Sequence, residues 1–345
     1  MLNALYDSVI VIKAPRKAYI IGMASGLIYG LCTMLYIYNR SHIRNVSNAS
    51  HEIAYGYLVM SVGFLFLVPL AIGWLCSTFG GQKSGWLSWI FLPWLPIIVS
   101  DALLLILGYE GRICILMALP ITFLFSSAGG VLAGLTRRYT ERRSHSTAVC
   151  IALLPFAMIM VEAHWTAPLN IRTVQTAIVI HAPASIVWQN IERVPAIAPT
   201  ELRPTWTHRI GFPRPIEATL SYEGAGGVRH ASFQGGLLFI ETVTNWQPDR
   251  LLGFTIKADT AEIPRTTLDE HVTIGGPYFD VLRGQYRIEP KPDGTIVLHL
   301  SSQERLSTDF NWYAGLWTDA VMHDIQQSIL EVVKKRCEHN AILTP

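Results

Sequence analysis

Residues 310–338, FNWYAGLWTDAVMHDIQQSILEVVKKRCE, decide how this chain folds. Tyr313, Trp317, Val321, Ile325, Ile329 and Val333 recur every four residues, which predicts one long amphipathic helix with an apolar stripe. Thr308 or Asp309 stands where a cap belongs, and Lys334, Lys335 and Arg336 complement the C-terminal end of the helix dipole. Such a stripe must bury against a large apolar partner.

The sequence just upstream supplies that partner. Thr173–His181 reads as a strand. Ala182-Pro183-Ala184-Ser185 is a turn leading into a short helix through Ile191, and a second short helical or irregular piece runs to about Thr200. Six strands follow: Ile216–Glu223, Val228–Gln234, Leu237–Trp246, Leu251–Ala258, Tyr278–Glu289 and Thr295–Gln303. Their joints, such as Gly224-Ala225-Gly226-Gly227, Gly235-Gly236 and Pro292-Asp293-Gly294, suit antiparallel hairpins. The expected fold of residues 166–345 is therefore α+β, a curved antiparallel sheet around the terminal helix. The insertion Asp259–Pro277 is long enough to cover an opening.

This order resembles the helix-grip fold of the START/Bet v 1-like superfamily, also called the polyketide cyclase/SRPBCC group. The resemblance covers about residues 172–338. It rests on Ile180-His181-Ala182-Pro183-Ala184-Ser185-Ile186-Val187-Trp188, on Glu241-Thr242-Val243-Thr244-Asn245-Trp246-Gln247-Pro248 followed by Leu251-Leu252-Gly253-Phe254, and on the terminal helix. It implies an apolar cavity between sheet and helix that takes lipids, sterols, quinones or polyketides. In a minority of members it implies cyclisation or dehydration.

Period-two alternation gives a cavity reading of its own. Leu252, Phe254 and Ile256 share one face, as do Leu282, Tyr286 and Ile288, and Ile296, Leu298 and Leu300. Trp206, Tyr222, Phe233, Trp317 and Val321 add bulk near the opening or on the helix. Glu241 is a candidate inward polar anchor, with His230 on the preceding strand, although Leu238, Phe239, Ile240 and Val243 leave the phase of that strand open. The expected ligand-binding set is Trp206, Tyr222, Phe233, Glu241, Phe254, Leu282, Tyr286, Leu298, Trp317 and Val321.

The N-terminal half has a different texture. Ala18–Tyr38, Gly56–Cys76, Trp86–Leu107 and Ile113–Leu135 each approach the roughly 20 apolar residues needed to cross a bilayer. A fifth stretch, Ala148–Ala163, is shorter and contains Pro155. Residues 1–165 thus read as a helical transmembrane domain of about five spans. Lys13, Arg16 and Lys17 lie before the first span, and Arg137, Arg138, Arg142 and Arg143 before the fifth. This places the N-terminus in the cytoplasm and the C-terminal half outside an inner or plasma membrane. If the fifth stretch only lies in the interface, the C-terminal half is cytoplasmic. Pro93 and Pro96 can kink the third span, which carries Asp101. Glu110 and Glu162 are expected at the interfaces. Gly26 with Gly30, and Gly129-Gly130 with Gly134, mark close helix packing.

Composition agrees with two halves. Half of the residues are hydrophobic, and only 15% are charged. Residues 1–165 hold 11 Lys/Arg against 6 Asp/Glu, and residues 166–345 hold 16 against 19, so the basic excess sits beside the apolar segments. No basic stripe of the kind nucleic acid needs is visible. The five cysteines form no CxxC pair or zinc spacing, and no metal or cofactor motif appears. There is no G-x-S-x-G elbow and no H-E-x-x-H motif. Asp269-Glu270-His271 reads as a solvated loop. The expected partners are the bilayer and a hydrophobic small molecule, and nothing in the sequence sets an oligomeric state. The expected function is a membrane-anchored protein that holds or transfers a lipid-like molecule. Two alternatives stand beside it: a cyclase- or dehydratase-like enzyme using Glu241, His230 or His271, and a non-catalytic regulatory or partner-binding membrane protein.

Overall fold

Apolar runs with few charges form helices because each backbone polar group then finds its partner within the segment. The computed structural model describes residues 16–43, 60–80, 85–140, 145–162, 164–259 and 274–343. Chain contacts divide it into two compact units, the first running to Thr166 without Gly111–Ile113 and the second running from Ala167 together with Gly111–Ile113.

The first unit is helical. It comprises α1 (Arg16–Ile43), a π-helical turn (Gly63–Leu67) running into α2 (Val68–Phe79), α3 (Trp86–Phe91), α4 (Trp94–Leu107), α5 (Arg112–Thr140) and α6 (His145–Glu162). Among the described residues, three segments are long and apolar enough to cross a membrane, not five: Arg16–Ile37, Trp86–Leu107 and Arg112–Tyr139. The other two apolar helices, Gly63–Phe79 and Ser146–Glu162, are shorter. At 1.5 Å per residue each reaches only about 25 Å, below the ~30 Å of a hydrocarbon core. The third expected span is broken at Leu92-Pro93 into α3 and α4, where proline interrupts the hydrogen-bond ladder.

This unit buries small residues at its helix crossings and leaves many large apolar side chains on its outside. Ala71, Cys76, Thr33 and Ser126 are buried, whereas Ile28, Leu35, Ile106, Leu124 and Leu153 are exposed. A methyl group at Gly73 would overlap the Ser126 carbonyl, and one at Gly129 the Leu70 carbonyl, so backbone meets backbone at these crossings. Gly26 likewise admits the Cys76 sulfur, which fits the packing expected of these glycines. Glu162 is turned into the unit. It is fully buried, and its carboxylate accepts the backbone N–H groups of Val62 (2.8 Å) and Gly63 (3.0 Å). A helix N-terminus has unpaired N–H groups and partial positive charge, and Glu162 satisfies both.

The second unit contains β1 (Asn170–Ile180), α7 (Ala184–Glu192), α8 (Trp206–Ile210), β2 (Pro215–Leu220), β3 (Val228–Phe233), β4 (Leu238–Gln247), β5 (Leu251–Asp259), β6 (Phe279–Pro290), β7 (Ile296–Leu306) and α9 (Asn311–Leu343). The strands make one curled antiparallel half-barrel in the order β1-β7-β6-β5-β4-β3-β2. With α9 packed against β1 and β7, this is a helix-grip fold. The strand, two short helices, six strands and long helix expected from sequence all occur in that order.

The buried face of α9 does not follow the simple every-four stripe. A step of four residues overshoots a helical turn, so a stripe at that spacing winds around the helix. Burial instead follows Ala314, Thr318, Val321, Gln326, Leu330, Val333 and Cys337, while Tyr313, Trp317, Ile325 and Ile329 are half-buried. One end of the concave face is solid core. There Leu252, Leu298, Ile288, Ile296, Leu330 and Cys337 pack with Val187, Trp188 and Ile191 of α7.

Candidate functional site

Alternation and register together decide which side chains enter the concave face. On β7 the inward set begins with Ile296, Leu298 and Leu300 and continues through Ser302, Glu304 and Leu306. On β1 it includes Arg172, Val174, Thr176, Ile178 and Ile180. Cross-strand pairing then aligns Arg172 with Glu304 and Val281, and Val174 with Ser302 and Gly284. The next row aligns Thr176 with Leu300, Tyr286, Leu252 and Trp246.

Two bulges shift this pattern. One between Val281 and Arg283 turns buried Val281 toward Glu304 and takes Leu282 out of step with Tyr286 and Ile288. Leu282 is half-buried rather than a continuation of that face. The other, between Val243 and Asn245, lets both Glu241 and Trp246 face inward on β4. Trp246 packs edge-on against Trp188 at a centroid distance of 4.9 Å.

Glu241 therefore does face the interior, but its partner is Arg229 rather than His230. Arg229 lies directly opposite it on β3, and the two form a buried ion pair with exposures of 4% and 5%. His230, one residue on, is exposed on the other face, so it does not form an acid–base pair with Glu241. The Arg229 guanidinium lies 5.7 Å from the Phe254 ring centroid. Tyr286 joins the pair through a hydrogen bond to Arg229, and burial raises its hydroxyl pKa. Burial also raises the Glu241 carboxyl, while the guanidinium pulls it down. For Arg229, burial favours the neutral form, but Glu241 and Tyr286 outweigh it, and the net direction is upward. A guanidinium does not give up its proton in a protein, so the pair is a cation held by a carboxylate. Arg229 Nε has no hydrogen-bond partner among the described residues.

Around this pair the concave face is apolar. Phe233 and Phe239 meet edge to face at 5.2 Å, and both remain half-buried, as do Ile256 and Leu282. Across from them, Trp317 of α9 lies 6.4 Å from Trp206 of α8. Asp324 pins α8 there by accepting the backbone N–H (3.2 Å) and hydroxyl (2.5 Å) of Thr207.

A second buried polar group lies at the β1–β7 side. Glu304 is 0% exposed. Its Oε1 accepts a hydrogen bond from Ser302 Oγ, and its Oε2 has no partner among the described residues. Burial raises its carboxyl from 4.5 to about 7; Ser302 and Arg172 pull it down and Asp319 pushes it up. Arg172 is itself engaged by Asp319 through Nε (2.9 Å) and Nη2.

The structure thus brings Phe233, Glu241, Phe254 and Tyr286 onto one concave face, with Trp206, Trp317 and Val321 contributed by helices. Leu298 is in the filled core, at 0% exposure. Tyr222 is not brought to the interior. It lies in the β2–β3 turn, 53% exposed, with its hydroxyl over Gly226. Sequence reading missed Arg229 and Glu304. Arg229 becomes legible once the Gly235-Gly236 hairpin sets the β3–β4 register, and Glu304 once the alternation of β7 is extended past Leu300. Asp269-Glu270-His271 and most of the expected covering insertion fall outside the described residues.

No protein-family model matches the chain, and no curated protein does. Solved structures align with about half of it. A START superfamily protein from Mycobacterium smegmatis is 10% identical over 49% of this chain and 98% of its own, with a TM-score of 0.33. Norcoclaurine synthase from Thalictrum flavum, in truncated form, is 10% identical over 49% of this chain and 94% of its own, with a TM-score of 0.30. A protein from Nitrosospira multiformis is 17% identical over 48% of this chain and 96% of its own, also with a TM-score of 0.30.

Proposed function

We propose that this chain is a membrane-anchored binding protein whose C-terminal unit holds or transfers a hydrophobic, lipid-like molecule. The observation that carries this reading is the uneven burial of the apolar side chains along the concave face. One end is solid core, whereas at the other Phe233, Phe239 and Trp317 stay half-buried. Apolar walls with a few placed polar groups suit a small apolar ligand. Each buried CH₂ contributes about 0.8 kcal/mol, so an acyl chain needs little polar machinery.

Anchoring is supported by the three long apolar helices and by the large apolar side chains on the outside of the first unit. With both basic clusters, Arg16-Lys17 and Arg137-Arg138-Arg142-Arg143, kept in the cytoplasm, the C-terminal unit lies on the far side of the membrane if Ser146–Glu162 also crosses, and in the cytoplasm if it does not. The bilayer is then both anchor and ligand source.

The test is native mass spectrometry on the full chain purified in detergent, followed by solvent extraction. A reproducible mass increment from a lipid-like compound is expected. Trp317→Asp, which charges the pocket wall, should abolish it while the protein stays folded. A well-folded wild-type protein that is empty and takes up none of a lipid panel refutes the reading. A reporter fused to the C-terminus reads the side of the membrane.

A further inference from the structure

We propose that Glu304 reads the polar end of the ligand. Its Oε2 hydrogen-bonds the hydroxyl or carbonyl oxygen of an uncharged, otherwise apolar molecule. This rests on the ligand-binding reading above and narrows its ligand class.

The direction of the surrounding hydrogen bonds carries the inference. Gln326 lies 3.1 Å from the Val174 carbonyl, which can only accept, so the atom facing it is the Nε2 donor. That same nitrogen lies 2.7 Å from Ser302 Oγ and donates to it. Gln326 Oε1 accepts from Thr176 Oγ1 at 2.8 Å, and Thr176 meets exposed His323 at 2.9 Å. Ser302, already an acceptor, turns its own proton to Glu304 Oε1. With Oε1 accepting from Ser302, a carboxylic proton on Glu304 sits on Oε2, the oxygen without a partner among the described residues.

A fully buried oxygen that is left unpaired is costly, so a partner from outside the chain is favoured there. The surrounding charges select its class. Arg172 is taken by Asp319 and Arg229 by Glu241, so no spare cation among them meets an anionic head. Burial keeps the donor form of Glu304 populated near neutral pH, which suits an oxygen acceptor.

The test uses the full chain in detergent, captured on scintillation beads at mildly acid pH. The probes are radiolabelled hexadecane, 1-hexadecanol, palmitate and hexadecylamine. The readout is the binding ratio of hexadecanol to hexadecane, in which the micelle contribution is common to all variants. Glu304→Leu should lower the ratio about 3- to 10-fold, the equilibrium effect of one hydrogen bond. Glu304→Gln, which still offers a donor, should hold it near the wild-type value. An unchanged ratio in Glu304→Leu means that Oε2 holds only water and overturns the proposal. A wild-type preference for palmitate or hexadecylamine overturns it as well. Wild-type protein that retains none of the four probes overturns the binding reading itself.

A second measurement covers the case in which Glu304→Leu does not fold. Hexadecanol should shift the infrared carbonyl stretch of a protonated carboxyl in wild-type protein. That band is identified by its loss in Glu304→Gln. A band that does not move refutes the assignment.

Discussion

Replacing Glu304 by Gln removes a buried titratable group while keeping its size and an acceptor for Ser302. The wild-type carboxyl titrates near 4.5 when unfolded and at about 7 in place. Between those values the folded protein binds more protons than the unfolded chain, so stability falls as pH rises. The contribution is fully present below about pH 4.5 and is lost as pH passes through about 7, where folding must accommodate a buried carboxylate. The displacement corresponds to about 3 kcal/mol. For a unit of this size that is about 6–12 °C in Tm. The assay is thermal unfolding of the full chain in detergent, followed by near-ultraviolet circular dichroism from mildly acid to alkaline pH. Wild-type Tm should fall across that range, and Glu304→Gln should flatten the fall. Equal pH slopes in the two proteins, or a wild-type Tm that rises through neutrality, would refute the assignment of a buried, protonated Glu304.

Other consequences can be checked separately. Arg229→Met leaves Glu241 buried without its cation and should cost about 3–5 kcal/mol, whereas the double variant Arg229→Met/Glu241→Leu should recover most of that loss. Urea midpoints for the C-terminal unit decide it, and equal loss in both variants counts against a buried pair. Gly73→Val drives a side chain into the Ser126 carbonyl and should prevent the first unit from assembling, seen as loss of the monodisperse peak in gel filtration; a normal elution profile contradicts the backbone-to-backbone crossing. Glu162→Ala frees the N–H groups of Val62 and Gly63 inside the helical unit and should cost about 1–3 kcal/mol, read as a lower Tm. An unchanged Tm would mean that water serves those groups equally well.

The element order was legible because each signal was local: the APAS turn, the glycine hairpins and the apolar positions of α9. The candidate site was less legible because it depends on register. Leu282 reads as inward by alternation, yet a bulge beside it gives the interior position to Val281. Glu241 is ambiguous within its own strand and becomes inward only when paired with Arg229. Glu304 was passed over because polar residues after Leu300 resemble the end of a buried face, although the alternation of β7 runs on to Leu306. Tyr222 was counted as a wall because it is aromatic and near an opening in sequence, but the turn that carries it faces outward. In the helical half, hydropathy marked five apolar segments, of which three, among the described residues, are long enough to cross.

The pairing of β1 with β7 also bears on biogenesis. Asn170 pairs with Leu306 and Ile180 with Ile296, so the first strand of the sheet finds its neighbour only when the last has left the ribosome. Hairpins from β2 to β6 can form as they emerge, but the sheet closes late and through contacts distant in sequence, a pattern that slows folding. Until then the inward edge of β1 is an open template for other chains. A nascent protein stalled anywhere before Leu306 would carry synthesised helical segments attached to an unclosed sheet, the form in which a chaperone would be expected to meet it.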